Sequence, residues 1–360
     1  MEIAVLGGGH GCYAAAAELS EKGHRIRFWR RDGAALAPLQ AAGAITLTDY
    51  RGVREVAIAQ VTDDLAQAVS GAALIVIPLP ATAHDSLSRA LAPHLESGQV
   101  VFLPPGTFGS YLFARALRDA GNPADVSFAE TGTLPYLARK HGPHHVVISG
   151  YGKRLPTGVF PARNSATAWA VIAAAYPAME KCADALSGAL MNAGPIIHPP
   201  LIMMNAGPLE HFPHWDIHNE GTQPAIRRVT DRLDEERIAL RQTLGYAPPH
   251  FPLRDHYSTE GEPWMYGRGA HDRLTDSGDW REHIELASHR YMLEDSRLGL
   301  SLLVSLGRWA GVATPLAAGF LAIASAITGR DLYREGRTLE SLGLAGLSRD
   351  QMKRLLQKGL

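Results

Sequence analysis

Met1-Glu2-Ile3-Ala4-Val5-Leu6-Gly7-Gly8-Gly9-His10-Gly11-Cys12 opens the chain, and its reading decides the fold. Ile3–Leu6 is a short apolar run of the kind a buried strand needs. Glycines follow at once, and Cys12–Glu21 then reads as an alanine-rich helix. Gly7 and Gly9 match the first two glycines of G-x-G-x-x-G. One permits the tight turn, and the other lets the backbone approach a pyrophosphate seated on the helix N-terminus. Cys12 holds the third position, where a small side chain still allows the helix to pack closely on the sheet. A glycine triplet alone is weak evidence, but its place between a first strand and a first helix makes it a dinucleotide-loop signature.

Outward from this loop, strands alternate with helices. Arg25–Trp29, Ala73–Pro78, Val100–Leu103, Val126–Ala129 and Val146–Ser149 read as strands, with a helix from about His84 to Leu95. Alternation of this kind means βαβ units and a parallel sheet, with ligands at the carboxyl ends of the strands. Beyond about residue 165 helical periodicity takes over, as in Ile226, Val229, Leu233, Ile238 and Leu244. The expected class is therefore α/β, with a Rossmann dinucleotide-binding domain over residues 1–184 and an all-helical domain over 185–360. Tyr246 to Trp280 reads as a long polar loop. Ser348 with Gln351 is a capping box that starts a last helix.

Composition narrows the function. The net charge of -1 attracts neither nucleic acid nor an anionic membrane. Two cysteines in 360 residues indicate no disulfide framework and suit a reducing cytoplasm. The N-terminus reads as a first strand, not a signal peptide. Gly311 to Thr328 is nearly free of polar side chains, but Pro315 lies inside it and arginines flank it. A helix buried on all sides, in a core or a subunit interface, is the better reading than a membrane span. No metal is expected: His211, His214, His218 and Asp216 resemble a cluster only superficially, because Pro213 breaks the helical spacing such a site would use.

After strand two come Arg30-Arg31-Asp32. An enzyme using NAD places an acidic residue near here to bind the ribose 2′-hydroxyl. Arg30 holds that place instead, and a guanidinium suits a 2′-phosphate. NADP is favoured and NAD stays possible, since Asp32 could still reach the ribose. The expected cofactor set is Gly7, Gly9, Gly11, Cys12, Arg30, Arg31 and Pro78. Cys12 sits at a helix N-terminus, where oxidation sensitivity is conceivable, but packing is the simpler explanation of it.

Four further stretches carry a resemblance. They are Glu130-Thr131-Gly132-Thr133-Leu134-Pro135-Tyr136-Leu137-Ala138-Arg139; Ile196-Ile197-His198-Pro199 with Asn205; Arg290-Tyr291-Met292-Leu293-Glu294-Asp295; and Glu335-Gly336-Arg337-Thr338-Leu339-Glu340 through Leu344. With the glycine loop, and in this order over nearly the whole chain, they resemble the opine dehydrogenases. The resemblance implies a reductive condensation. The amine of an amino acid and a 2-oxo acid, pyruvate by default, form an imine that NAD(P)H reduces to a secondary amine dicarboxylate. It also implies that a helical domain closes over the Rossmann domain. On it His198 is the catalytic histidine, Asp295 its carboxylate partner and Arg290 the carboxylate-binding arginine. Asn205 and Trp215 join Arg290 as expected substrate contacts, with Phe212 and His214 in a loop near the substrate.

The chemistry fits these residue types. Imine formation and reduction need a group that exchanges protons near neutral pH, which histidine does. A carboxylate on its other ring nitrogen sets the tautomer and stabilises the charged form. A guanidinium can grip a carboxylate with two bonds. Sequence alone would not choose His198 among sixteen histidines. Two other functions compete: a 2-oxo-acid or ketone reductase of the ketopantoate or glycerol-3-phosphate type, and a non-enzymatic NADP-binding regulator. The reductases use a lysine from the helical domain, and Lys181 is the only lysine between Arg154 and Met352. A soluble homodimer is expected.

Overall fold

The computed structural model describes residues 1–360 and divides them into two compact units, Met1–Ala189 with Lys353–Leu360, and Leu190–Met352.

The first unit is built on two sheets. Its strands are β1 (Glu2–Leu6), β2 (Arg25–Trp29), β3 (Ala44–Asp49), β4 (Gly52–Ala57), β5 (Gln60–Thr62), β6 (Leu74–Val76), β7 (Val100–Leu103), β8 (Ser127–Thr131), β9 (Tyr136–Lys140), β10 (His145–Tyr151), β11 (Leu155–Phe160) and β12 (Met179–Lys181). Eight of them form one sheet in the order β12-β11-β8-β7-β6-β1-β2-β5, and the others form a four-stranded sheet in the order β4-β3-β10-β9. The run from β5 to β8 is parallel. β11 departs from the expected parallel sheet by pairing antiparallel with β8.

The small sheet explains the first helix. Helix α1 (His10–Glu21) has Ala14, Ala15, Ala16 and Ala17 all fully buried. They share a core with Ile3, Val5 and Phe28 of the large sheet and with Ile45, Leu47 and Val56 of the small one. A helix covered on two faces must be slim, and alanine is the residue that permits this close approach at no cost in helix propensity.

The helix Ala185–Ala189 belongs with the first unit, which moves the division five residues past the expected boundary. It lies directly on the sheet. A Cβ on Gly158 would stand 1.9 Å from the Asp184 carbonyl oxygen, and one on Gly188 would stand 2.7 Å from the Glu130 carbonyl oxygen. The chain's last eight residues also return to this unit, where Arg163 Nε donates to the Lys358 carbonyl.

The second unit is helical, with one isolated bridge between Trp215 and Glu282. Its centre is the helix Pro224–Thr243, which carries a buried ion pair. Arg237 Nε donates to Asp234 Oδ1 at 2.6 Å, with both side chains 4% exposed. Arg237 also donates to the carbonyls of Leu190 and His250, and Asp234 accepts the Leu253 N–H. The expected capping box is formed: the Ser348 N–H donates to Gln351 Oε1, and the Gln351 N–H donates to Ser348 Oγ.

The apolar stretch after Gly311 forms the helix Pro315–Thr328, which is not enclosed by its own chain, so the core setting is excluded and the subunit-interface setting stays open. Ala317, Phe320, Leu321 and Ala324 face inward, whereas Pro315, Gly319, Ala322, Ile323 and Ala326 are exposed. No helix is long and apolar enough to cross a membrane.

Candidate active site

In the first unit, β1 ends in the glycine turn. Gly7 has φ +122°, a conformation L side chains rarely adopt, and a Cβ there would meet Leu79 at 2.4 Å and Cys12 Sγ at 2.8 Å. Gly9 is exposed, and a Cβ on it would meet nothing within 4 Å. It caps α1 with no side-chain hydrogen bond, so the chain itself leaves the helix N-terminus open to an anion. This is the geometry a pyrophosphate requires, and a dinucleotide fits it. Gly11 serves packing: a Cβ there would stand 2.7 Å from Leu134 and 3.3 Å from Pro78.

Cys12 lies beneath the turn. It is fully buried, with Sγ 3.6 Å from the Leu6 carbonyl and 3.7 Å from the Pro78 carbonyl. Burial pushes its thiol up to about 12, which makes it a packing residue and an inert one.

The two arginines after β2 part company. Arg30 folds over the loop, its Cδ and Nε 2.7 Å from where a Gly8 Cβ would be. Arg31 turns the other way, with Nη2 3.5 Å from Ser86 Oγ. Next to Arg30 lies Tyr13, fully buried, and above its ring at 3.7 Å lies the Lys140 ammonium. Lys140 is anchored through its backbone, whose N–H donates to His10 Nδ1 at 2.7 Å. Burial and the nearby Arg30 charge lower the Lys140 pKa. Neither Tyr13 nor Lys140 carries a sequence signal, because one faces a sheet and the other arrives from over a hundred residues away.

Glu130, the first residue of the Glu130–Arg139 stretch, is also structural. Fully buried, it accepts N–H bonds from Phe108 and Ser110 and the Ser110 hydroxyl, and so holds the loop that follows β7.

In the second unit, His198 lies on the helix Gly194–Met204 and Asp295 on a π-helix, Tyr291–Leu300. His198 Nδ1 and Asp295 Oδ2 are 2.7 Å apart. Gly194 makes this approach possible. It precedes His198 by four residues, on the same helix face, and a Cβ on it would stand 2.3 Å from Asp295 Oδ1. Gly299 plays the same part from the other side, where a Cβ would meet Pro195 at 2.2 Å.

The π-helix matters for the arginine. Its wider turn brings Arg290, the residue just before it, closer to the side of Asp295, and each charge feels the other. An α-helix would swing them well apart around the axis. The Arg290 guanidinium lies part-buried over the Tyr291 ring, 4.8 Å from its centre, with Nη2 3.4 Å from the Tyr291 hydroxyl. Burial opposes its charge, but Tyr291, Glu294 and Asp295 outweigh that and raise its pKa.

Tyr291 also stacks on His198, with centroids 3.9 Å apart at 19°. His218 meets the imidazole edge-on at 5.9 Å, and Trp280 meets His218 at 5.4 Å. The imidazole is thus held by a carboxylate on one nitrogen and by aromatic rings around it. Asp295 is buried at 6% exposure. Burial raises its carboxyl to about 7, against the opposing pull of Arg290. A buried pair that holds a proton up to neutrality can give and take one near pH 7.

The remaining expected contacts are tied to one another. Asn205 is buried and spends its amide on structure, donating to the carbonyls of Leu201 and Gly221 and accepting the Trp215 indole N–H at 3.2 Å. It positions Trp215, whose ring stacks on exposed Phe212 at 5.6 Å. Asp216 turns onto its own backbone, accepting from the N–H groups of His218 and Asn219. Lys181, the lysine the reductase reading would need, lies on edge strand β12 of the first unit, with its ammonium 5.3 Å from the Trp169 ring centre.

Two family models match the chain. The N-terminal domain of NAD-dependent glycerol-3-phosphate dehydrogenase matches residues 2–104, and the α-helical domain of NAD/NADP octopine/nopaline dehydrogenase matches residues 181–328. An opine dehydrogenase of Arthrobacter sp. (strain 1C) is 29% identical over 358 residues, 96% of each chain. An octopine dehydrogenase solved with NADH and agmatine superposes with TM-score 0.72 at 18% identity, covering 100% of this chain and 98% of that one. A yersinopine dehydrogenase solved with NADP+ superposes with TM-score 0.67 at 16% identity, covering 99% and 98%. These two structural likenesses speak to the fold.

Proposed function

We propose, from the premise that this chain belongs to the opine dehydrogenase family, that it joins an amino acid to a 2-oxo acid, pyruvate by default, in an NADPH-dependent reductive condensation. The observation that carries this reading is the His198–Asp295 pair at 2.7 Å, stacked under Tyr291 and set beside Arg290 by the π-helix. The nicotinamide supplies the hydride that reduces the imine carbon. Gly7 and Gly9 would seat the pyrophosphate at the N-terminus of α1, and Arg30 would meet the 2′-phosphate. Arg290 grips a substrate carboxylate through two parallel N–H bonds. His198, with Asp295 fixing Nδ1, presents Nε2 to the reacting nitrogen. It takes the proton that the ammonium must lose before attack and returns one as carbinolamine oxygen leaves as water.

We place the enzyme in the cytoplasm, where two buried cysteines outside any disulfide suit a reducing medium. We also propose a homodimer, formed on the exposed apolar face around Ile323, which is 48% exposed. The test of function is NADPH oxidation with single substrates and with pairs. Turnover that requires both an amino acid and an oxo acid, with the secondary amine found by mass spectrometry, supports the condensation. Equal oxidation with the oxo acid alone makes the protein a simple reductase.

A further inference from the structure

We propose that Lys140 reads the 2′-phosphate of the cofactor's adenosine, completing with Arg30 and Tyr13 an anion pocket beside Gly8. The inference rests on the NADPH reading above and adds to it a residue from a different sheet. Of the two arginines after β2, only Arg30 faces the loop, because Arg31 turns to Ser86. One guanidinium neutralises a phosphate dianion only in part, so a second cation is needed in reach. Lys140 is that cation. The His10 ring pins its backbone to the glycine loop, and the Tyr13 ring supports its ammonium at 3.7 Å.

The charges there are unbalanced. No carboxylate pairs with Lys140, and Asp32, the one beside Arg30, is 3.9 Å away with a 60% exposed side chain. Two cations held near each other repel, and an anion between them turns that repulsion into attraction. The third observation is independent of charge. The Tyr13 hydroxyl is buried, and its polar neighbour is the Arg30 guanidinium, which can only donate, so the Tyr13 O–H has no acceptor. Buried hydroxyls are nearly always paired. A phosphate oxygen brought in by Arg30 would accept this O–H, whereas NADH offers no anion there.

The test is direct binding to the full-length protein, without turnover. Wild type, Lys140→Met and Lys140→Arg are titrated with NADPH, NADH and 2′,5′-ADP. Methionine keeps the stem packed on Tyr13 and removes the charge. Loss of one charge-assisted bond should cut the preference for NADPH over NADH by about ten-fold or more, and weaken 2′,5′-ADP by a like factor. Lys140→Arg should keep most of the preference, which excludes a folding defect as the cause. If Lys140→Met weakens NADPH and NADH equally, Lys140 meets the pyrophosphate and the inference is wrong. An unaltered ratio, in a protein that does prefer NADPH, removes Lys140 from the site and leaves the NADPH reading intact. A wild type that prefers NADH overturns both.

Discussion

Asp295→Asn separates what the dyad does for catalysis from what it costs the fold. Burial lifts the Asp295 carboxyl from 3.8 to about 7. Between those values the native state binds a proton that the unfolded chain has already lost. Stability contributed at this position therefore falls as pH rises through that window. The climb, already net of the attraction of Arg290, is worth ~4 kcal/mol as a ceiling, because His198 returns part of it once Asp295 is charged. Asparagine keeps the shape and never ionises. The variant should gain on wild type by up to ~4 kcal/mol between pH 4 and pH 8, read as the difference of their urea unfolding free energies.

Turnover should move the opposite way. In the reductive direction wild type should lose activity as pH rises through about 7, where the dyad gives up its proton. In Asp295→Asn that limb should shift to lower pH, because the charged imidazole has lost its carboxylate, and kcat should fall by up to ~10²–10⁴. An unshifted pH profile, or a variant no better than wild type at pH 8, would refute the account of Asp295.

His198→Ala should lose ~10²–10⁴ in turnover while NADPH affinity, measured by titration, stays unchanged. Near-normal turnover would shift attention to Lys181. Arg290→Lys should raise KM for at least one carboxylate substrate, since an ammonium cannot reproduce a planar two-bond grip, and steady-state kinetics over both substrates will show which one. Arg237→Met should destabilise the helical unit by ~3–5 kcal/mol, because Asp234 is left charged and buried without its partner. Chemical denaturation measures this, and a change below 1 kcal/mol (about the worth of an exposed pair) would show that the pair is not desolvated.

The first strand, the glycine turn and α1 could be read from the first twenty-one residues because their geometry is local. Gly7 needs its positive φ wherever that turn forms, and the alanines announce a helix that must be thin. The capping box at Ser348 and Gln351 was legible for the same reason. His198, Asp295 and Arg290 were legible only through a family resemblance, since nothing about one histidine among sixteen marks it out. Their arrangement came from packing. The π-helix lies close against Pro195 because residue 299 is glycine, and the carboxylate reaches His198 because Gly194 has no Cβ in the way. The three internal hydrogen bonds of the Asn205 amide, which tie it to Leu201, Gly221 and Trp215, could not be read from its sequence neighbours. Of the small sheet only the strand at Val146–Ser149 was legible, and nothing local showed that it leaves the large sheet to join β3, β4 and β9, bury the outer face of α1 and carry Lys140 to Tyr13. Short-range sterics write themselves into neighbouring residues. Contacts between residues 13, 30 and 140, or 194 and 295, depend on where whole elements pack, and no window of sequence contains them.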